Sequence, residues 1–178
     1  LTQKLKKTGN VSVAFSGDGA SNQGTTFEAM NMAVVLEVPA IFVIEDNGYG
    51  EHTAASYAVG APSIAARAES FGMPAETVDG PDFFAVRDAM LRALERGRAA
   101  EGPYTIVTEC PRYLGHFVGD PQPYRSEQEI ADARARDGLV NFRARVTEAG
   151  LLSHDDLDQV DQDIAKEVQT AVEIGVSA

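Results

Sequence analysis

The sequence contains little cysteine and has few basic residues. Cys110 is the single cysteine among 178 residues, which excludes a disulfide framework or a thiolate metal cage within the chain. Lys and Arg number 15 against 27 Asp and Glu, for a formal net charge of -12. This charge opposes a general affinity for nucleic acid or for an anionic membrane.

Long apolar runs are missing as well. No stretch approaches the roughly 18 apolar residues that a membrane span requires, so we expect no membrane insertion. With 44% hydrophobic and 24% charged residues, the composition is that of a globular protein. The sequence begins at Leu1 without a Met and without a signal-like stretch. We therefore expect part of a longer protein from the bacterial cytoplasm.

Strand and helix patterns alternate as far as Glu109. Short apolar runs rich in β-branched residues predict buried parallel strands at residues 11–16, 39–44, 75–78 and 104–109. Helical spacing predicts helices at residues 25–36, 63–71 and 83–96, with Gly97 as the C-cap of the last. The alternation predicts an α/β fold, in which a mostly parallel sheet carries helices on both faces.

The chain changes character after Cys110. Residues 111–125 are rich in Gly, Pro and aromatic residues without periodicity, which predicts a long, functional loop. Helical patterns follow to the end of the chain, and Ser153 is expected to cap the last helix. We therefore predict an α/β domain at residues 1–125 and a helical C-terminal extension of it at residues 126–178.

A glycine-containing turn follows the first predicted strand and opens a helix. In a parallel sheet this position is the carboxyl edge, where ligands bind. Its glycines allow a phosphate to approach the backbone, and the helix N-terminus offers free amides. A dinucleotide fingerprint would need glycine where Asn22 stands, and the lysine of a P-loop is absent. The turn therefore indicates a phosphate site of another kind, at Gly17-Asp18-Gly19-Ala20.

Asp18 in this turn would repel a bare phosphate, but not one bridged by a divalent cation. Asn47 ends the next strand and would lie beside Asp18 if the two strands are neighbours. A carboxylate, an amide oxygen, a backbone carbonyl, phosphate oxygens and water make an octahedral shell suited to Mg²⁺. The alternative is a helix-capping turn at Asp18 and an ordinary turn at Asn47-Gly48. Their occurrence on consecutive strand ends favours the metal.

Gly17-Asp18-Gly19 followed by Asn47 resembles the thiamine diphosphate motif of the 2-oxo acid dehydrogenases and their relatives. The wider string Gly17 to Gly24, with Phe27-Glu28-Ala29 and Asn31-Met32-Ala33, resembles the alpha subunit of their decarboxylating component. The resemblance implies the thiamine diphosphate-binding fold, with thiamine diphosphate and Mg²⁺ as cofactors. It implies Mg²⁺ ligands at Asp18, Asn47 and the carbonyl of Tyr49, and diphosphate contacts at Gly17, Gly19 and Ala20.

His116 lies in the irregular loop. A histidine in a loop is usually exposed and without function, although it can donate to a phosphate or move a proton near neutral pH. In the family that the chain resembles, this loop closes over the cofactor and the matching histidine contacts it. The resemblance, which extends to Asp120-Pro121, therefore implies a catalytic and cofactor-binding role for His116. Arg125 is interpreted as a loop anchor or a partner of an acidic group, or alternatively as part of a surface salt bridge.

The strings Gly115 to Asp120 and Glu45 to Gly60 are more similar to acetoin dehydrogenase alpha subunits than to pyruvate or branched-chain enzymes. The resemblance implies an oxidoreductase that cleaves acetoin and passes the acyl unit to lipoamide. It also implies a beta subunit in an α₂β₂ heterotetramer and a lipoyl-bearing acyltransferase component as partners. The alternatives are a pyruvate or branched-chain dehydrogenase, another thiamine enzyme such as a transketolase or decarboxylase, and a non-catalytic domain that binds a magnesium-bridged phosphate.

Overall fold

A four-stranded, all-parallel sheet lies at the centre of the computed structural model, which describes residues 1–177. The strand order in this sheet is β1-β2-β6-β5, and β3 and β4 form a separate antiparallel hairpin. The bounds are β1 Ser12–Gly17, β2 Ala40–Asp46, β3 Tyr49–Gly50, β4 Thr53–Ala54, β5 Ala75–Asp79 and β6 Tyr104–Glu109. The four predicted strands are confirmed, whereas the hairpin is not foreseen by the sequence patterns.

Helices connect the strands of the sheet and follow the last one. Their bounds are α1 Thr2–Lys6, α2 Gly24–Val35, α3 Ala55–Ala58, α4 Ile64–Glu69, α5 Phe83–Arg98, α6 Glu127–Ala135, α7 Gly138–Glu148 and α8 His154–Ser177. Side-chain caps explain where several of them begin. The Ser63 hydroxyl accepts from the Ala66 amide before α4, and the Asp82 carboxylate accepts from the Phe84 amide before α5.

Helices cover both faces of the sheet, as predicted. On one face, α2 and α4 pack over Ile44 and Val107 through Met30, Ile64 and other buried residues. On the other face, Ala89 and Ala93 of α5 pack over Ile41, Val43 and Ile106. Alternate residues of β2 thus enter opposite cores, so this strand is buried on both sides.

The prediction that β1 is buried is wrong. β1 is an edge strand, and its Val13 and Phe15 side chains are 40% and 67% exposed. The register pairs them with Ile41 and Val43 on the face that carries α5. α5 itself packs mainly over β2, β5 and β6. The apolar pattern correctly predicts a strand but not its place in the sheet.

Gly97 is not the C-cap of α5, contrary to the prediction. The helix continues through Arg98 and is capped by Ala99. Gly97 is buried, and a Cβ atom placed on it would lie 3.0 Å from a methyl carbon of Val11. The glycine therefore permits close packing of α5 against the segment before β1.

The chain forms two compact units, Leu1–Asp137 and the part from Gly138 onward. In the second unit, Arg143 of α7 pairs with Asp158 of α8 at 2.7 Å, and the Asp156 amide donates to the capping Ser153 hydroxyl at 3.1 Å. The predicted cap is thus confirmed, while the domain division at residues 125 and 126 stays a prediction. Within residues 1–177, no helix has both the length and the apolar character needed to cross a membrane.

Candidate functional site

A cavity of about 560 Å³ opens at the carboxyl ends of β1 and β2. This volume is within the range typical of small-molecule sites. Because β1 and β2 are parallel neighbours, the turn that follows Gly17 and the turn at Asn47 meet at the same edge. All the residues that the sequence predicts for the site line this cavity: Gly17, Asp18, Gly19, Ala20, Asn47, Tyr49 and His116.

The glycine loop, residues 17–24, enters α2 through a single 3₁₀ turn at Ala20–Asn22. Successive amides of the turn donate to carbonyl oxygens three residues earlier, at 3.1, 3.2 and 3.1 Å (Ser21 to Asp18, Asn22 to Gly19, Gln23 to Ala20). The amides of Gly19 and Ala20, which are the predicted diphosphate donors, are not among these donors. The loop is therefore folded by its own backbone, and Gly19 and Ala20 line the cavity, with the Gly19 amide interacting with the Asp18 carboxylate.

The hairpin of β3 and β4 touches the glycine loop backbone to backbone. A Cβ atom placed on Gly50 would lie 2.9 Å from the Gly19 Cα, and one placed on Gly19 would lie equally close to the Gly50 Cα. Only glycine at both positions allows this approach. Asn47-Gly48, with a φ of +83° at Gly48, precedes the hairpin, whereas the turn that connects β3 to β4 is Glu51-His52. This pair is not one of the usual hairpin turn sequences, so neither the hairpin nor its contact with Gly19 could be inferred from the sequence pattern.

Asp18 is a buried carboxylate in an environment that disfavours its charge. The residue is 2% exposed. Burial, followed by the nearby Asp46 carboxylate, raises the pKa of Asp18, while the amides of Asp18 and Gly19 and the Arg112 charge act in the opposite direction. A cation bound beside Asp18 would reverse this penalty, because it stabilises the ionised form.

Asp18, Asn47 and Tyr49 line one cavity and offer a carboxylate, an amide oxygen and a backbone carbonyl, which are ligand types that suit a hard divalent cation. The Asn47 Oδ1 accepts from the Tyr49 amide at 3.1 Å and has a second lone pair for a metal. The Tyr49 hydroxyl donates to Glu129 of α6 at 3.0 Å, which fixes the residue whose carbonyl is the third predicted ligand. Residues 1–177 contain no cluster of three or more His, Cys, Asp or Glu side chains suited to a metal. Mg²⁺ here would take the rest of its shell from ligand phosphate and water.

The histidine loop, residues 111–125, folds around the Asp120 side chain, which is 2% exposed. The Asp120 carboxylate accepts from the Tyr124 hydroxyl at 2.6 Å and from the amides of His116 and Gln122, both at 2.9 Å. The Tyr124 hydroxyl and these amides lower the pKa of Asp120 to about 2. Asp120 thus holds the backbone of His116 at the cavity.

Arg112 is a functional candidate that the sequence analysis missed. Its guanidinium donates to the Glu51 carbonyl at 2.6 Å and lies 3.3 Å from the His116 Nδ1. Among residues 1–177, it is the only Lys or Arg that lines the cavity. The sequence did contain a signal for Arg112, because a basic residue in a loop expected to close over a diphosphate is a candidate phosphate contact. Because arginine only donates, the His116 Nδ1 acts as the acceptor in this contact.

Arg125 anchors the histidine loop to α6. Its side chain is 1% exposed, and its Nε donates to Glu129 at 2.9 Å. A second donor, Nη1, bonds to the Gln122 side chain at 3.1 Å. The interpretation as a loop anchor with an acidic partner is confirmed. The alternative of a surface salt bridge is wrong, because the guanidinium is buried.

Comparison with known proteins identifies similar chains. Residues 1–178 match the family described as dehydrogenase E1 component. The chain is 44% identical over 174 residues to the alpha subunit of acetoin:2,6-dichlorophenolindophenol oxidoreductase from Cupriavidus necator, covering 97% of this chain and 52% of that subunit. It is 43% identical over 176 residues to the subunit of the same name from Bacillus subtilis, with 97% and 51% covered.

A pyruvate dehydrogenase subunit is also similar. The chain is 40% identical over 174 residues to the mitochondrial pyruvate dehydrogenase E1 component subunit alpha type II from Ascaris suum, covering 97% of this chain and 44% of that subunit. The chain spans about half the length of the curated relatives that it matches, 52% and 51% for the two acetoin subunits.

Proposed function

Since this chain belongs to the dehydrogenase E1 component family, we propose that it provides the half of a thiamine diphosphate site that holds Mg²⁺ and the diphosphate. The family is thiamine diphosphate-dependent. The observation that carries the proposal is the convergence of every predicted site residue on one cavity, which surrounds the buried Asp18 carboxylate. The raised pKa of Asp18 supports it, because a buried acid of this kind gains most from a bound cation.

In this proposal the residues at the edge of the cavity divide into metal ligands and diphosphate contacts. Asp18, Asn47 and the carbonyl of Tyr49 hold Mg²⁺. Gly17 lets the diphosphate approach the backbone, and Gly19 and Ala20 donate their amides to it. Arg112 adds the positive charge that a diphosphate needs in a chain of net charge -12.

His116 is proposed as the catalytic residue of this chain. When bound, thiamine diphosphate supplies the nucleophilic carbon that attacks the substrate carbonyl and allows the adjoining C–C bond to break. With Nδ1 accepting from Arg112, neutral His116 carries its proton on Nε2. In that state His116 can donate a hydrogen bond to a phosphate or substrate oxygen, and Asp120 keeps its backbone in place.

The proposed reaction is the cleavage of acetoin with transfer of the acyl unit to lipoamide. Two relatives more than 40% identical are named for acetoin, which favours this substrate. The alternative is pyruvate or a branched-chain 2-oxo acid, and the 40% identical pyruvate dehydrogenase subunit supports pyruvate. The proposal includes a beta subunit in an α₂β₂ heterotetramer, a lipoyl-bearing acyltransferase as partner, a bacterial cytoplasmic location, and domains at residues 1–125 and 126–178.

Titration calorimetry of the full-length protein with its beta subunit tests the cofactor. We expect thiamine diphosphate to bind in the presence of Mg²⁺, with EDTA abolishing the heat. Asp18→Ala is expected to weaken binding by about 100-fold or more, because it removes the only carboxylate among the proposed metal ligands. Asp88→Ala, at an exposed carboxylate paired with Arg87, is the matched control and should bind normally. Thiamine diphosphate binding that is unchanged by EDTA and by the Asp18→Ala substitution would refute the proposal.

Dye reduction by the assembled alpha and beta subunits decides the substrate. With dichlorophenolindophenol as acceptor, acetoin should give the higher kcat/KM and pyruvate the lower. The reverse order would assign the chain to a pyruvate dehydrogenase. No turnover of acetoin, pyruvate or a branched-chain 2-oxo acid by a complex that binds the cofactor would favour another thiamine enzyme.

A further inference from the structure

Arg67 of α4 hydrogen-bonds to the glycine loop without lining the cavity. Its Nη1 donates to the Ser21 carbonyl and to the Ser21 Oγ, both at 3.1 Å, and its Nη2 donates to the Asn22 Oδ1 at 2.7 Å. The guanidinium carbon also lies 5.5 Å from the centre of the Phe27 ring. One side chain thus joins α4 to the turn that precedes α2.

Ser21 and Asn22, the two residues to which the Arg67 side chain donates hydrogen bonds, both approach the Asp18 carbonyl oxygen. The Ser21 Oγ donates to it at 2.6 Å and the Ser21 amide at 3.1 Å. The Asn22 Nδ2 approaches the same oxygen at 3.5 Å. Because Arg67 occupies the other polar atom of the Asn22 amide, it fixes which way that side chain faces.

The direction of the Asp18 carbonyl has a consequence for the cavity. A trans peptide directs its C=O and its N–H to opposite sides. Holding the Asp18 carbonyl toward Ser21 and Asn22 therefore sets the direction of the Gly19 N–H, which interacts with the Asp18 carboxylate. This one peptide thus orients both a proposed metal ligand and a proposed diphosphate donor.

The base of Arg67 is rigid enough for such a task. Its neighbours Ala65 and Ala68 are 7% and 0% exposed and, with Ile64, pack in the core between α4 and the sheet. An arginine fork that starts from a packed helix loses little freedom when it bonds to the loop. Lysine at this position would offer a single ammonium group in place of the planar guanidinium and could not bridge the same three acceptors.

We infer that Arg67 is a positioning residue for the magnesium and diphosphate site, and that it acts through Ser21 and Asn22 on the Asp18–Gly19 peptide. This inference rests on the proposed function for its ligand, but not for its geometry. Arg67 orders the glycine loop before any ligand binds. Ordering of this loop therefore does not reduce the free energy of cofactor binding.

Hydrogen exchange of the full-length protein with its beta subunit, without cofactor, tests the geometry. In Arg67→Met, which keeps the apolar stem, the peptide covering residues 17–24 should exchange about tenfold faster. Arg67→Lys should restore part of the protection. The control is Arg92→Met, since Arg92 is also paired, with Glu76 at 2.6 Å, but lies away from the cavity. Unchanged exchange of residues 17–24 in Arg67→Met would overturn the inference.

Binding provides the second measurement. With Mg²⁺ present, Arg67→Met should lower the affinity for thiamine diphosphate by about 10-fold to 100-fold, as the loss of residues behind metal ligands does elsewhere. Arg67→Lys should fall between Arg67→Met and wild type, and Arg92→Met should match wild type. Wild-type affinity in Arg67→Met overturns the inference, even if exchange is faster.

The two proposals fail in different ways. If wild-type protein binds no thiamine diphosphate at all, the proposed function fails, and the exchange experiment still decides whether Arg67 holds the loop. If Arg67→Met does not fold, Ser21→Ala replaces it as the test variant. Ser21→Ala removes one acceptor of Arg67 and one donor to Asp18, and should give a smaller increase in exchange over residues 17–24. No increase in that variant overturns the inference.

Discussion

Two aspartates face opposite electrostatic surroundings in the two loops that meet at the cavity. Asp18 of the glycine loop and the Asp120 side chain of the histidine loop are each 2% exposed. The pKa of Asp18 is raised by burial and by Asp46, whereas the pKa of Asp120 is lowered to about 2 by the Tyr124 hydroxyl and two backbone amides. Asp120 therefore has its hydrogen-bond partners within the protein, whereas Asp18 is the carboxylate that we propose binds a cation.

The two loops are also held in place by different means. The glycine loop follows a sheet strand, bonds to its own backbone, touches Gly50 and is held by Arg67. The histidine loop has no regular structure and is organised by side-chain contacts around Asp120, with Val118 fully exposed. We therefore expect the first half of the site to be rigid and the second half to depend on a few polar contacts.

Among the variants that compare the two loops, the largest expected effect comes from separating the glycine loop from the hairpin. Gly50→Ala would place a methyl group 2.9 Å from the Gly19 Cα. Because the crowded atom belongs to the backbone, the clash can be relieved only by a shift of the backbone itself. A shift of the loop by a few tenths of an ångström disturbs the proposed Mg²⁺ and diphosphate contacts together. Calorimetry should record a loss of thiamine diphosphate affinity of about 10-fold to 100-fold.

Gly24→Ala is the matched control for that variant. A Cβ atom on Gly24 meets nothing within 4 Å, and the residue is the first of α2. Its affinity should equal that of wild type, and its free energy of unfolding should rise by about 0.4–1 kcal/mol from the reduced entropy of the unfolded chain. Equal affinity of Gly50→Ala and Gly24→Ala would contradict the tight contact between the loop and the hairpin.

A smaller effect, confined to the histidine loop, is expected from Asp120→Ala. The substitution removes the acceptor of two amides and one hydroxyl, so the loop should open more often. Trypsin cleavage after Arg112 should become about tenfold faster, while exchange of residues 17–24 stays unchanged. Asp88→Ala should leave both measurements unchanged. Faster exchange of residues 17–24 in Asp120→Ala would show that the two halves are not independent.

Sequence patterns predict most of this fold because the relevant signals are local. β-branched runs predict the strands, and the Ser63 and Asp82 caps mark where two helices begin. The predicted site residues lie at or just after the ends of strands, or within the long loop. The alpha subunit resemblance is confirmed by the family match over residues 1–178. Strands that are consecutive in the chain are usually neighbours in a parallel sheet, and their carboxyl ends then lie at the same edge, so the convergence of Asp18 and Asn47 could be predicted from the sequence.

What sequence patterns miss depends on contacts between distant segments. Arg67 stands 46 positions from Ser21, and nothing in the α4 pattern indicates that its side chain points to the glycine loop. Gly97 resembles a C-cap by composition, but its packing against Val11 decides its role. The exposure of Phe15 in β1 likewise depends on strand order, which β-branched patterns do not encode.

The smallest expected effect, on thermal stability, is the one that tests the contrast between the two aspartates directly. The folded-state pKa of Asp18 lies above its unfolded value, so ionised Asp18 destabilises the ligand-free protein. Its contribution to stability is fully present below the unfolded pKa of about 4 and is lost as pH rises through the folded pKa. At pH 7 without Mg²⁺, Asp18→Asn should therefore raise the Tm by a few degrees, and this difference should shrink as pH falls toward about 4.

Asp120→Asn should change the Tm in the opposite direction. The folded pKa of Asp120 is about 2, so its contribution is present above the unfolded value of about 4 and is lost only as pH falls toward 2. At pH 7 the substitution should lower the Tm. Differential scanning calorimetry of both variants, from pH 4 to pH 8, measures the two signs together. A Tm decrease in Asp18→Asn at neutral pH would mean that Asp18, like Asp120, already has its partners within the protein and does not require a cation.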